Sequence, residues 1–172
     1  MRRRSTHEYE LFAMNHWKQF KPKACSIHLK SPTKEQALVE VVSNLVQAEV
    51  LSDAMASDAE RALLERERTA STGVGMSVAI PHVKLPGLER AVCSLSVHPG
   101  GIPWDAVDGA PVHLLFTVLR PDAKSSAHDP EQHLDLMRWI ARLGRDGDFR
   151  RFALQVKTKT ELVDLLREMS AV

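Results

Sequence analysis

The stretch that decides the fold is Ser71-Thr72-Gly73-Val74-Gly75-Met76-Ser77-Val78-Ala79-Ile80-Pro81-His82, near the middle of the 172-residue chain. Its first half has small side chains and two glycines, which indicates a loop whose backbone N–H groups can converge on an anion. Val78-Ala79-Ile80 then indicates the buried end of a strand, and Pro81 stops that strand. Because the proline fixes the chain direction, His82 has a defined position at a place that another protein can reach.

His82 has the properties that a phosphate-accepting residue needs. The nucleophile is neutral imidazole, whose ordinary pKa of about 6.5 leaves it mostly deprotonated at cytoplasmic pH. Phosphoryl transfer also needs in-line placement and hydrogen-bond donors for the equatorial oxygens. The hydroxyls of Ser71 and Thr72 could donate to the phosphate, or they could be plain loop residues. Since an isolated histidine is more often structural, these features alone make His82 a modest candidate.

Helical spacing occurs on both sides of this stretch. Ser31-Pro32-Thr33 predicts one helix start, and a second helix opens at Ser52 or Asp53. The apolar stripe of the second helix includes Arg66, so its guanidinium is expected to point inward, where it needs an anion or carbonyl groups. The alternative is an arginine that extends off the helix end into solvent. Further along, Asp129-Pro130-Glu131-Gln132 predicts a helix that begins with a capping Asp and a first-turn Pro.

The interleaving of these elements sets the fold class. The remaining predicted elements are three strands, at 26–29, 92–97 and 112–119, and two helices, at 149–156 and 160–169. Because helices and strands alternate, we expect an α/β fold, a mixed β-sheet with helices packed on both faces, in a single domain over residues 25–172. Residues 1–24 are polar, basic and aperiodic, which predicts a loosely attached leader.

Composition argues against several functional classes. The formal net charge of +1 gives no electrostatic reason to expect binding to nucleic acid or to a membrane surface. No apolar run approaches the roughly 20 residues of a membrane-spanning helix, so we expect a soluble, cytoplasmic protein. The cysteines and histidines lack the spacing of metal ligands, and no phosphate-binding loop for ATP is present. We therefore expect neither a metal nor a nucleotide cofactor.

Several motifs together carry a family resemblance. They stand in order as Arg66-Glu67, then Ser71-Thr72-Gly73-Val74-Gly75, then Ala79-Ile80-Pro81-His82. This series resembles the active-site signature of the type-2 EIIA domains, the fructose/mannitol class of the phosphoenolpyruvate-dependent phosphotransferase system, which includes the nitrogen-regulatory EIIA proteins. Asp108-Gly109-Ala110-Pro111-Val112-His113-Leu114 resembles the family's segment before a central strand. The similarity runs from about Ser26 to the C-terminus.

The resemblance implies roles for particular residues. His82 matches the phosphorylated histidine, and Arg66 matches the arginine that supports the phosphoryl group. His133 matches the family's second histidine, which begins a helix; there the helix dipole disfavours imidazolium and favours a nearby phosphate. A histidine satisfied within the core is the alternative for His133. Since the segment 124–130 looks longer than the family's usual connection, His128 is a rival for the same role.

The resemblance also implies a function. It points to a phosphotransferase component that forms a transient phosphohistidine on His82, with phosphate supplied by HPr or its nitrogen-branch equivalent. A regulatory EIIA acting on target proteins is favoured over a sugar-uptake component passing phosphate to EIIB, because no permease, EIIB or HPr segment is fused to the chain. A protein-interaction module that takes no phosphate is the third possibility, against which the intact motif residues argue.

Overall fold

Residues 15–170 are described by the structure, a computed structural model. The strands within them are β1 (Gly73–Gly75), β2 (Val78–Ala79), β3 (His82–Leu85), β4 (Val92–Ile102) and β5 (Val112–Pro121). The α-helices are α1 (Lys34–Gln47), α2 (Ala56–Thr69), α3 (Pro130–Arg145), α4 (Gly147–Ala153) and α5 (Lys159–Met169). Short 3-10 helices occur at His16–Gln19, Pro22–Ala24 and Asp53–Met55.

The sheet is organised around β5. Strand β4 pairs with one edge of β5 in antiparallel orientation, and β2 and β3 both pair with its other edge in parallel orientation. Strand β1 lies outside β2 and runs antiparallel to it. The sheet is therefore mixed, and its central strand is the apolar run that the sequence predicted at 112–119.

Strands β2 and β3 form one line that is interrupted at a proline. Ala79 pairs with Leu115 and His82 pairs with Val118, so the same register continues across the gap. Pro81 has no N–H to donate, but its carbonyl accepts the Val118 N–H at 2.9 Å. The strand therefore resumes directly after the proline, and His82 is the first residue of the resumed strand.

Helices cover both faces of the sheet, because alternate residues of β5 point to opposite sides. Leu115 and Leu119 belong to one core cluster, which they share with buried residues of α1 and α2. Leu114, Phe116 and Val118 belong to a second cluster, shared with α3, α4 and α5. This arrangement confirms the predicted α/β fold with helices on both faces of a mixed sheet.

The helix starts follow local capping chemistry. Thr33 caps α1 by accepting the Gln36 N–H, as the sequence predicted. Asp129 caps α3 by accepting the N–H groups of Glu131 and Gln132. Helix α2 begins later than predicted, because the 3-10 turn Asp53–Met55 precedes it.

The predicted leader needs a correction. Residues 1–14 lie outside the described residues, but the predicted loose attachment is wrong for residues 15–24. Phe20 is 1% exposed, packs edge-on against Phe116 with ring centroids 6.1 Å apart, and bridges to Cys93 of β4. The buried residues of this segment are His16, Phe20 and Ala24. Neither a histidine nor an alanine marks a core position by its hydrophobicity, so the polar composition of the segment hides the spacing of four residues that the three share.

Candidate functional site

The His82 ring has a defined tautomer. Its Nδ1 lies 2.7 Å from the Ile80 carbonyl oxygen, on the other side of Pro81. Because a carbonyl only accepts hydrogen bonds, Nδ1 carries the proton and donates it. The neutral ring therefore keeps its unprotonated lone pair on Nε2, and the residue as a whole is half-buried.

His133 lies beside this ring. It stands in the first turn of α3, and the two ring centroids are 6.4 Å apart with their planes inclined at 36°. The strand register explains why the His82 and His133 rings are adjacent. His82 is opposite Val118, whose side chain belongs to the core cluster beneath α3, so the His82 side chain points to the same face.

His133 is held in its neutral form. Burial lowers the pKa of His133 to about 4, and the nearby charge of Arg120 acts in the same direction, as do His82, Lys84 and His128. At neutral pH the site therefore presents an uncharged His133 imidazole beside the His82 ring. His128 lies close enough to influence His133, but His133 is the histidine whose ring pairs with His82.

The acidity of His133 gives a direct test. In an NMR titration its ring resonances should move with a midpoint near pH 4. Since the folded pKa lies below the ordinary 6.5, folding disfavours the protonated ring. The stability that His133 contributes is then complete above about pH 6.5 and is lost as pH falls towards 4. The free energy of unfolding, measured with denaturant, should decrease more over that pH range for the wild type than for His133→Gln. A His133 midpoint at 6.5 or above would contradict this environment.

Arg66 does not occupy the inward position that the sequence predicted. It is half-exposed in the last turn of α2, where its guanidinium donates to the Ala70 carbonyl at 2.8 Å. The buried charged residue of this helix is the neighbouring Glu67, which is 5% exposed. An arginine at a helix C-terminus readily satisfies the last free carbonyls, which leaves the inward site to the carboxylate.

The loop between α2 and β1 binds a carboxylate of the protein itself. The Thr72 N–H lies 3.2 Å from both Glu67 carboxylate oxygens, and the Thr72 hydroxyl donates to the same carboxylate. The Ser71 hydroxyl donates to the Trp104 carbonyl at 3.2 Å. The predicted use of these two hydroxyls for phosphate is not supported by this arrangement, because both protons are already donated within the fold.

Two basic residues near the rings were missed by the sequence analysis. Lys84 follows His82 by two residues on β3, and Arg120 is its register partner on β5. The alternation of a strand could have indicated Lys84, had the chain after Pro81 been recognised as a strand. Arg120 could not be found in this way, because its position depends on the pairing of two distant segments.

A cleft of about 880 Å³ adjoins the ring pair through His133. Its basic lining residues are Lys21, Lys23, Arg90, Arg120, His128 and His133. Among residues 15–170, no three potential metal ligands lie together, and none of the helices there has the length and apolar character to cross a bilayer.

Comparisons with known proteins show which family the chain resembles. Residues 18–169 match the family model described as phosphoenolpyruvate-dependent sugar phosphotransferase system, EIIA 2. A nitrogen regulatory protein of Pseudomonas aeruginosa is 36% identical over 116 residues, which cover 67% of this chain and 71% of the relative. The fructose-specific EIIA component of the phosphotransferase system of Haloferax volcanii is 34% identical over 145 residues, 83% of this chain and 90% of the relative.

A solved structure has the same fold. The crystal structure of the nitrogen regulatory protein IIA-Ntr from Neisseria meningitidis has a TM-score of 0.77 and 25% sequence identity to this chain. The match covers 87% of this chain and 97% of the Neisseria chain.

Proposed function

Because the chain belongs to the EIIA type 2 family of the phosphoenolpyruvate-dependent sugar phosphotransferase system, we propose that it is a phosphocarrier whose phosphate acceptor is His82. The donor is a histidine-phosphorylated carrier, HPr or its nitrogen-branch equivalent. The observation that carries this proposal is the hydrogen bond from Nδ1 of His82 to the Ile80 carbonyl, which leaves Nε2 as the nucleophile. The cytoplasmic location expected from the sequence belongs to the same proposal.

The proposed step is a transfer between two imidazoles. The Nε2 lone pair of His82 attacks the phosphorus of the donor phosphohistidine, the new N–P bond forms, and the donor N–P bond breaks, which returns its electron pair to the donor ring. Positive charge develops on the His82 ring, and the hydrogen bond from Nδ1 to the Ile80 carbonyl stabilises it.

His133 and Arg66 serve as supporting residues in this proposal. Neutral His133, with ring centroids 6.4 Å apart, can donate one N–H to a phosphoryl oxygen. The role of Arg66 follows from the family resemblance. In the described arrangement Nη1 of the guanidinium donates to the Ala70 carbonyl, so the remaining N–H donors are the ones that would bind the phosphoryl group.

We propose a regulatory role, in which the phosphorylation state of His82 controls binding to target proteins. Relatives named nitrogen regulatory protein at 36% identity support this choice. A phosphoryl dianion on a docking surface is costly to desolvate without paired cations, so a partner that covers His82 should distinguish the two states. The second candidate is sugar uptake with transfer to EIIB, favoured by the 34% identity to a fructose-specific EIIA component.

One experiment with two stages tests the proposal. The protein is first incubated with labelled phosphoenolpyruvate, enzyme I and HPr, and it should gain one acid-labile, alkali-stable phosphate on the peptide that contains His82. The phosphoprotein is then offered to membranes that contain a fructose or hexitol permease and lack their own EIIA. A regulator should leave the sugar unphosphorylated. Label on another peptide would exclude His82 as the acceptor, and restored sugar phosphorylation would replace the regulatory role with transport.

A further inference from the structure

We propose that Arg120 is a phosphate-binding residue of this site, whose guanidinium contacts the phosphoryl group on His82 from the side of the sheet. This inference rests on the proposed phosphorylation of His82. It adds a residue on β5 to the supporting groups on α2 and α3, and it places a permanent positive charge beside the two imidazole rings.

The strand register places Arg120 within reach. His82 pairs with Val118 and Lys84 pairs with Arg120, so Arg120 is the diagonal neighbour of His82. With strands about 4.8 Å apart and about 3.3 Å per residue, the two Cα atoms are separated by roughly 8 Å. An extended arginine side chain spans such a distance.

Arg120 also points to the correct face of the sheet. Successive residues of a strand alternate, so Arg120 shares the face of Val118, which packs beneath α3. Two further observations agree with this placement: Arg120 lines the cleft together with His133, and its charge is the second-largest cause of the low His133 pKa. Arg120 and His133 therefore line the same cleft, and the His133 ring connects that cleft to His82.

The guanidinium lacks a counter-ion in the described protein. Arg120 is half-buried, and within residues 15–170 it makes no ion pair and no side-chain hydrogen bond. Burial alone shifts its pKa downward, with no carboxylate acting against that shift. A cation that is partly removed from water and unpaired gains most from an incoming anion. A phosphoryl dianion supplies that anion, and the planar guanidinium can bind two of its oxygens at once.

The alternative is an arginine that lies along the cleft wall and keeps its charge in solvent. Arg90 provides the matched control, because it lines the same cleft, is exposed, and is not part of the proposed machinery. Two variants of Arg120 separate charge from shape. Arg120→Gln removes the charge, while Arg120→Lys keeps the charge and loses the two-pronged contact.

The test measures the initial rate of phosphate uptake from phosphorylated HPr, together with a ³¹P NMR titration of the phosphoprotein. Arg120→Gln should slow uptake by about tenfold to a thousandfold, and the phosphoryl group of that variant should titrate about one pH unit higher. Arg120→Lys should give an intermediate rate, and Arg90→Gln should match the wild type in both measurements. A purely structural role for Arg120 would not move the phosphoryl titration.

The outcomes separate the two proposals. If the wild type is phosphorylated and Arg120→Gln matches Arg90→Gln in rate and titration, the role of Arg120 is wrong and the phosphocarrier function stands. If the wild type takes up no phosphate at all, both proposals fail. Should Arg120→Gln fold poorly, Arg120→Lys decides, and a wild-type rate of phosphate uptake in that variant overturns the inference.

Discussion

A His82→Gln variant should take up no phosphate from phosphorylated HPr while folding like the wild type. Glutamine has no lone pair of comparable nucleophilicity, so the covalent intermediate cannot form. The substituted side chain is half-buried, and its hydrogen bond to the Ile80 carbonyl is one that a glutamine N–H can also make. The change in folding free energy should therefore stay within about 1.5 kcal/mol. The measurement is label stoichiometry, with circular dichroism as the check on folding.

His133→Gln is the matched control for this experiment. Neutral His133 is itself a competent nucleophile, so it could in principle accept phosphate in place of His82. We expect His133→Gln to be labelled at His82, more slowly than the wild type by about tenfold to a thousandfold if His133 donates to the phosphoryl group. Wild-type stoichiometry in His82→Gln would contradict the acceptor assignment, and loss of that label in the double variant would move the assignment to His133.

The parts of the fold that the sequence predicted are those with local causes. Thr33 and Asp129 cap their helices through hydrogen bonds within three residues, so the signal is complete in the sequence itself. The two longest strands show alternation or a β-branched run that needs no knowledge of their partners. These elements were found where the structure has them, apart from shifts at their ends.

Strand β3 was missed because Pro81 gives an ambiguous signal. A proline removes one donor from a strand, which usually indicates its end. Here the Pro81 carbonyl still accepts the Val118 N–H, so the ladder resumes at His82. Whether a strand resumes after a proline depends on the partner strand, and the partner is not visible in the local sequence.

Some residues of the site could be predicted from the sequence, each on a different basis, and others could not. The chemistry of His82 follows from imidazole and the preceding proline, whereas the pairing with His133 came only from the family resemblance. Helical periodicity placed Arg66 on the buried stripe, but Arg66 and Glu67 both lie near that stripe at 3.6 residues per turn. Which of them is buried depends on tertiary partners such as Thr72, which lie beyond the helix. Arg120 depends on strand register and could not be predicted locally.

Glu67 is expected to hold the loop that leads to the site. Its carboxylate accepts the N–H and the hydroxyl of Thr72 and lies 3.7 Å from the Lys34 ammonium. Trp104 donates its indole N–H to the Thr72 hydroxyl oxygen at 3.4 Å, which extends the network to the segment after β4. Lys34 keeps a second partner, Asp105, at 3.0 Å. Loss of the carboxylate therefore leaves the buried Thr72 groups as the main unsatisfied polar atoms.

Glu67→Ala should lower the free energy of unfolding by about 3 kcal/mol, as expected when the acceptor of a buried network is removed. For a chain of this size the Tm should fall by about 6–12 °C. Glu65→Ala is the matched control, because Glu65 is an exposed carboxylate on the same helix and its removal should change stability by less than about 0.5 kcal/mol. Glu67→Gln keeps an acceptor for the Thr72 N–H, so its free energy of unfolding should lie between those of Glu67→Ala and Glu65→Ala.

Equal melting temperatures for the two alanine variants would show that the Thr72 loop is held by other contacts. A slower phosphate uptake in Glu67→Ala, measured well below its Tm, would show that the loop also positions His82.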